Sequence, residues 1–195
     1  MEALEALTSR ASPLKLGEPA PDDFDLENIL RAGAHAPDHG RLHPWRFIVV
    51  RDQARATLGE TMVEALRQRD PDVPQSVLDK ERSRPLRAPV IVIVAATVQE
   101  SQKIPAIEQI VSAGTAAQNI LLAAHALGFG GFWRTGAPAY DEHLKTALGL
   151  ERGHTIVGFL YLGTPIESAP PIARPSLAEV AVEWKAPERI EPWGA

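Results

Sequence analysis

Residues 90–97 read VIVIVAAT, five β-branched residues in a row and no charge. A strand exposed on one face alternates apolar with polar residues. An unbroken apolar run suits a strand covered on both faces. This chain must therefore build at least three layers, with helices above and below a sheet. A second run, HTIVGFLYL at 154–162, predicts another buried strand, stopped by the GTP at 163–165. Residues 106–127 predict the longest helix, on the order of 33 Å at 1.5 Å per residue. Its small residues Ala113, Gly114, Ala116, Ala117, Ala123 and Ala124, with apolar positions almost all round, predict burial and close backbone approach to a neighbour.

The remaining elements are less strongly marked. Residues 2–9 suit a short helix with Leu4 and Leu7 on one side, and RASPLKLGEPAPDD an extended loop. Asp22 or Asp23 can cap a helix running to about His35, with Phe24, Leu26, Ile29, Leu30 and Ala34 as its stripe. Pro37 ends or restarts it. A strand over 46–51, a helix over 53–69, a charged helix over 74–84 and a short helix over 139–148 follow. FGGFW at 129–133 reads as a turn or the start of a strand. Helices come before any strand, so the class is α+β, a layered sheet with helices on both faces. A length of 195 residues favours a single domain, 1–195. Its Pro-rich arm, about 166–195, has one possible strand near Val180 and Val182 and is too apolar for a disordered tail. It is expected to pack on a second subunit.

Composition excludes several chemistries. With no cysteine there are no disulfides, thiolate metal sites or cysteine nucleophiles. The net charge of −5 argues against a general nucleic-acid or membrane-surface binder, but a few local arginines could still hold a small anion. The start MEALEALTSR lacks the apolar core of a signal peptide, and no stretch has transmembrane length. A cytoplasmic protein is expected.

Between a helix and a strand, where function tends to collect, lies HAPDHGRLHPW, residues 35–45. One reading is a metal-dependent hydrolase using His35, His39 and His43. Against it, Pro37, Gly40 and Pro44 break the segment, Asp38 sits beside His39 rather than a turn away, and the HExxH order is missing. No G-x-S-x-G elbow offers a serine nucleophile either.

APDHGRLHPWRF resembles the A-P-S-x-x-N-x-Q-P-W-[RK]-F signature of the nitroreductase family of FMN-dependent oxidoreductases. SRASPLKL is similar to that family's R-R-S-x-R segment, LGFGGFWRTG to its G-[LF]-G-x-x-W-x-T-G loop, and IVGFLYLGTP to its late strand. The four segments fall in order from about residue 3 to residue 182, and APDH matches the family's short branch. The resemblance implies a nitroreductase-like fold with a central mixed, mainly antiparallel sheet flanked by helices. It implies a homodimer with flavin at the interface, much of which the small-residue 106–127 helix would form by close packing. It also implies a ping-pong reaction in which NADH or NADPH reduces FMN and a nitroaromatic, quinone or similar small acceptor reoxidises it.

The resemblance assigns cofactor contacts to Arg10, Ala11 and Ser12, to His35 and His39, to Trp133, Arg134 and Thr135, and to Arg174. Arg10 and Ser12 suit a phosphate, although Arg10 could merely complement a helix C-terminus. Arg174 is a second phosphate donor or a solvated arm residue. Gly130, Gly131 and Gly136 would let backbone approach an aromatic plane, or serve a tight strand entry with Trp133 in the core. The chain departs from the pattern at Ala11 and Lys15, where arginines are usual, and at Arg41 and His43, where Asn and Gln are usual. A non-catalytic flavin-binding protein is therefore a further alternative. No side chain stands out as an essential acid or base, as suits chemistry carried by a flavin ring.

Overall fold

The computed structural model describes residues 1–100, 103–169 and 172–194. Its elements run α1 (Ala3–Ser9), β1 (Leu16–Gly17), α2 (Asp23–Ala34), β2 (Trp45–Arg51), α3 (Gln53–Arg69), α4 (Gln75–Ser83), β3 (Val90–Ala96) and α5 (Ala106–Ala126). Then come β4 (Gly130–Arg134), α6 (Glu142–Ala147), β5 (Thr155–Pro165), α7 (Leu177–Val180), β6 (Val182–Ala186) and β7 (Arg189–Pro192). Short 3-10 turns occupy His39–Arg41, Arg84–Arg87 and Ala137–Tyr140.

Strand β3 is buried along its whole length, as its unbroken apolar run requires. It pairs with β2 on one side and β5 on the other. The long β5 also pairs with β4 and, at its end, with β1. Every pairing among the described residues is antiparallel. Two cores cover the two faces. On one, Ile91, Ile93, Phe132, Phe159 and Tyr161 meet Leu58 and Met62 of α3 and Leu144 of α6. On the other, Val90, Val92, Val94, Leu160 and Leu162 meet Ile29 of α2 and Ala117, Ile120 and Leu121 of α5. Each fully buried Ile or Leu contributes about 1.5–3 kcal/mol.

Helix α2 starts where expected, with the Asp22 side chain accepting from the Asp25 N–H. Most of the small residues of α5 pack inside the chain, while Gly114 and Ala123 stay half-buried. Ala113, Ala116, Ala117 and Ala124 are buried, and a Cβ on Gly33 of α2 would come within 2.7 Å of Ile120. What α5 turns outward is Ile107 and Val111.

Several boundaries differ from expectation. The second strand does not stop at the GTP but runs through it to Pro165, because β1 supplies partners for Thr164 and Pro165. The 139–148 helix is broken at Asp141, whose side chain accepts the Leu144 N–H and caps a shorter α6. In the arm, Val180 closes the single turn of α7 and the strand begins at Val182, pairing with β7. Residues 170, 171 and 195 of the arm lie outside the described residues.

Candidate functional site

Arg10 is the residue that ends α1. The Ser9 hydroxyl lies 2.9 Å from His125 Nε2 in the last turn of α5, which pins this corner to the body of the protein. From there the half-buried Arg10 donates through Nη1 to Ser12 Oγ at 3.3 Å. Arg174, 164 residues later, donates through Nη2 to the Arg10 carbonyl at 3.4 Å. Two guanidinium groups and a hydroxyl thus meet where α1 touches the arm, with no carboxylate paired to either arginine among the described residues. Burial, and then the Arg174 charge, lower the pKa of Arg10. A bound anion would oppose both effects by favouring the charged guanidinium. Ala11 lines an adjacent cavity of about 310 Å³ with Pro13, Gly128 and Gly130.

The histidine loop is held differently. His35 closes α2, its Nδ1 donating to the Arg31 carbonyl at 2.7 Å. His39 Nδ1 donates to Glu108 Oε2 of α5 at 2.6 Å, beside a cavity of about 310 Å³ lined also by Pro37, Val111 and Thr115. His43 sends its ring toward Trp45, with centroids 6.0 Å apart. The three imidazoles thus turn to three different partners. Among the described residues no group of three or more His, Asp or Glu side chains is placed to hold a metal ion. The hydrolase arrangement has no geometric counterpart here.

This loop is strained. Gly40, Arg41 and His43 all have positive φ, 76°, 56° and 46°. For the two non-glycine residues that costs about 1–2 kcal/mol each. Asp38 offsets part of it by accepting the His43 N–H at 2.7 Å.

The third group lies at the end of β4. Trp133 lies flat over Gly158 of β5 and donates its indole N–H to the Val157 carbonyl at 3.2 Å. A Cβ at 158 would sit 2.0 Å from that nitrogen, so only glycine makes the bed. Arg134 points to the opposite face, its guanidinium 5.5 Å from the centre of the Phe132 ring. Thr135 follows, exposed, and Gly136 turns the chain at φ 98°. Arg134, Thr135 and Gly136 border a cavity of about 540 Å³.

Arg10, Ser12 and Arg174 are brought together. His35, His39 and the Trp133–Thr135 stretch are not joined to them by any hydrogen bond among the described residues. Two features were missed from sequence. Glu108, which in the sequence is only one more carboxylate of the long helix, holds His39. One wall of the large cavity comes from the segment expected to be a charged helix. There Glu81 is 6% exposed, and burial raises its pKa against the opposing pull of Arg84, Arg69 and Arg87.

Residues 7–164 match the nitroreductase family. The chain belongs to the nitroreductase family. Among curated relatives, YdjA of Escherichia coli (strain K12), provisionally named an NAD(P)H nitroreductase, is 43% identical over 165 residues. That covers 85% of this chain and 89% of YdjA. A similarly named protein of Haemophilus influenzae is 36% identical over 170 residues, 87% of this chain and 91% of that one. Among solved structures, a nitroreductase-like family protein from Bacillus cereus superposes with a TM-score of 0.80 at 21% identity, covering 95% and 97% of the two chains. A provisionally assigned nitroreductase from Desulfovibrio desulfuricans, solved in complex with FMN, gives 0.72 at 26% identity over 94% and 97%. The nitroreductase fold thus accounts for the antiparallel sheet and its flanking helices.

Proposed function

We propose that this nitroreductase-family protein is an FMN-dependent oxidoreductase that takes electrons from NADH or NADPH and delivers them to a small oxidised acceptor such as a nitroaromatic or a quinone. The observation that carries the reading is the Arg10–Arg174 pair: Arg10 donates to the Ser12 hydroxyl, Arg174 donates to the Arg10 carbonyl, and neither is paired with a carboxylate among the described residues. A phosphate of about −2 charge fits such a set, because guanidinium groups bind its oxygens with charge-assisted hydrogen bonds. The NAD(P)H names of the relatives and the FMN complex from Desulfovibrio desulfuricans support the same donor and cofactor. A bound FMN would supply the redox chemistry, and ping-pong kinetics are expected if the oxidised nucleotide leaves before the acceptor binds.

The chain's own residues do the holding. Arg10 and Ser12 with Arg174 take the phosphate end, and Ala11 leaves room beside them. The backbone of Trp133, Arg134 and Thr135, steadied by the Trp133 bed on Gly158, faces the ring. His35 and His39 act on a flavin held by a second copy, which explains why one chain keeps them apart from Arg10. A homodimer is supported by the apolar residues left outside: Ile107 and Val111 on α5, and Trp184 and Ile190 on the arm. The arm, about 166–195, packs on the partner as an extension of one domain. No helix among the described residues is long and apolar enough to cross a membrane. The cysteine-free sequence supports a cytoplasmic location.

The departures at Arg41 and His43 keep a second reading in view, a flavin carrier without turnover. Anaerobic absorbance spectra separate the two. The expected protein is yellow and is bleached by NADH or NADPH. A yellow protein that neither nucleotide bleaches would leave only the carrier, and a colourless one would reject both.

A further inference from the structure

The 540 Å³ cavity reverses the sign of the molecule. The whole chain carries −5, yet Arg69, Lys80, Arg84, Arg87 and Arg134 line this space with a single carboxylate, Glu81. Three of the five cations are already engaged. Arg69 Nε meets Asp141 Oδ2 at 2.8 Å, Arg84 Nε meets Glu81 Oε2 at 3.0 Å, and Arg134 stacks on Phe132. Arg87 and Lys80 have no carboxylate partner among the described residues. The second oxygen of Glu81 is buried without a hydrogen-bond partner. Like charges gathered in a cleft repel one another and focus their field into it. That arrangement favours an anion.

The rest of the wall is carbon: Met62, Leu66, Val77, Pro138 and the rings of Phe159 and Tyr161. An inorganic anion would leave these walls wet, and a dinucleotide would set riboses and a pyrophosphate against them. A planar aromatic acid matches both halves, with its ring on the apolar wall and its carboxylate toward Arg87. The volume is within the ordinary range for small-molecule sites. The cavity also reaches Arg134, Thr135 and Gly136, the loop given above to the cofactor.

We infer that this cavity is the acceptor's site and that it selects anionic aromatic molecules, holding the carboxylate with Arg87 and Lys80. The inference rests on the oxidoreductase reading only for the word acceptor, since binding itself can be measured without turnover.

The test uses the FMN-loaded protein and two probes of matched shape, 4-nitrobenzoate and 4-nitrobenzamide. Calorimetric titration should give tighter binding of the benzoate, weakened by added salt. Arg87→Ala should lower the benzoate-to-amide affinity ratio about tenfold, as loss of one charge-assisted hydrogen bond does. Arg87→Lys should restore part of it. The kcat/KM ratio for the two acceptors should move in parallel, while kcat/KM for the nucleotide stays with the parent's. Equal binding of both probes in the parent, or an unchanged ratio in Arg87→Ala, would overturn the inference. So would a loss that falls on FMN content or on the nucleotide kcat/KM. Failure of NAD(P)H to bleach the parent would instead count against the oxidoreductase reading, with the titration still deciding the anion site.

Discussion

At the residue scale, Arg10 is the side chain on which most depends. Its partly buried guanidinium sits beside another cation and, among the described residues, donates only to Ser12, a costly arrangement for a protein that never meets an anion there. Arg10→Ala should therefore release FMN, lowering the flavin-to-protein absorbance ratio of purified protein more than it lowers turnover per bound flavin. Equal flavin content in mutant and parent would remove Arg10 from the phosphate site. Arg41 tells a different story. It occupies the position where the family signature has Asn, and its φ is 56°. Asn tolerates the left-handed region far better than Arg, since its short side chain can bond locally. Arg41→Asn should raise stability by a few tenths to about 1 kcal/mol in urea unfolding. A loss of stability would mean that the arginine makes a compensating contact. The signature letters were readable in the sequence, but their reason was not, because backbone angles at 40–43 are set by the closure of the whole loop.

At the element scale, strength of pattern decided what could be read. The runs at 90–97 and 154–162 and the small-residue helix were legible because burial on both faces forces apolar residues at every position. Strand β1 was not, because two residues carry no period. The Asp141 break was hidden too. An aspartate inside a helical pattern can cap or simply face water, and only the fold, which sets Arg69 2.8 Å away, decides. The bed under Trp133 is likewise a tertiary fact, since nothing near Gly158 in sequence announces an indole 25 residues earlier. It yields a test of how β5 supports the cofactor loop. Gly158→Ala pushes a methyl group into the Trp133 ring and should cost about 1–3 kcal/mol, the usual penalty for overpacking. Trp fluorescence should shift red as the ring lifts, and FMN affinity should fall with it. Unchanged fluorescence and unchanged affinity would separate Trp133 from the loop's role.

At the scale of the whole molecule, one chain presents its candidate cofactor residues in separate places and leaves apolar side chains outside. The proposed second copy would resolve both facts. Sedimentation should give twice the chain mass, and Val111→Asp, a charge placed on the outward face of α5, should shift the population toward monomer and lower its FMN content together. A monomeric parent that still binds flavin would show that one chain completes the site alone. The sequence carried the family and the class of cofactor, because those rest on local loops. It did not carry the cationic cavity, whose arginines come from helix, turn and strand end and meet only when the sheet is covered. The central claim is that the arginine pair at the end of α1 grips the phosphate of a flavin. Titration of flavin-stripped protein with FMN and with riboflavin, which lacks the phosphate, tests it most directly. FMN should bind, and riboflavin should bind at least about tenfold more weakly, the loss expected from charge-assisted hydrogen bonds no longer made. No binding of FMN, or equal binding of the two, would contradict the account.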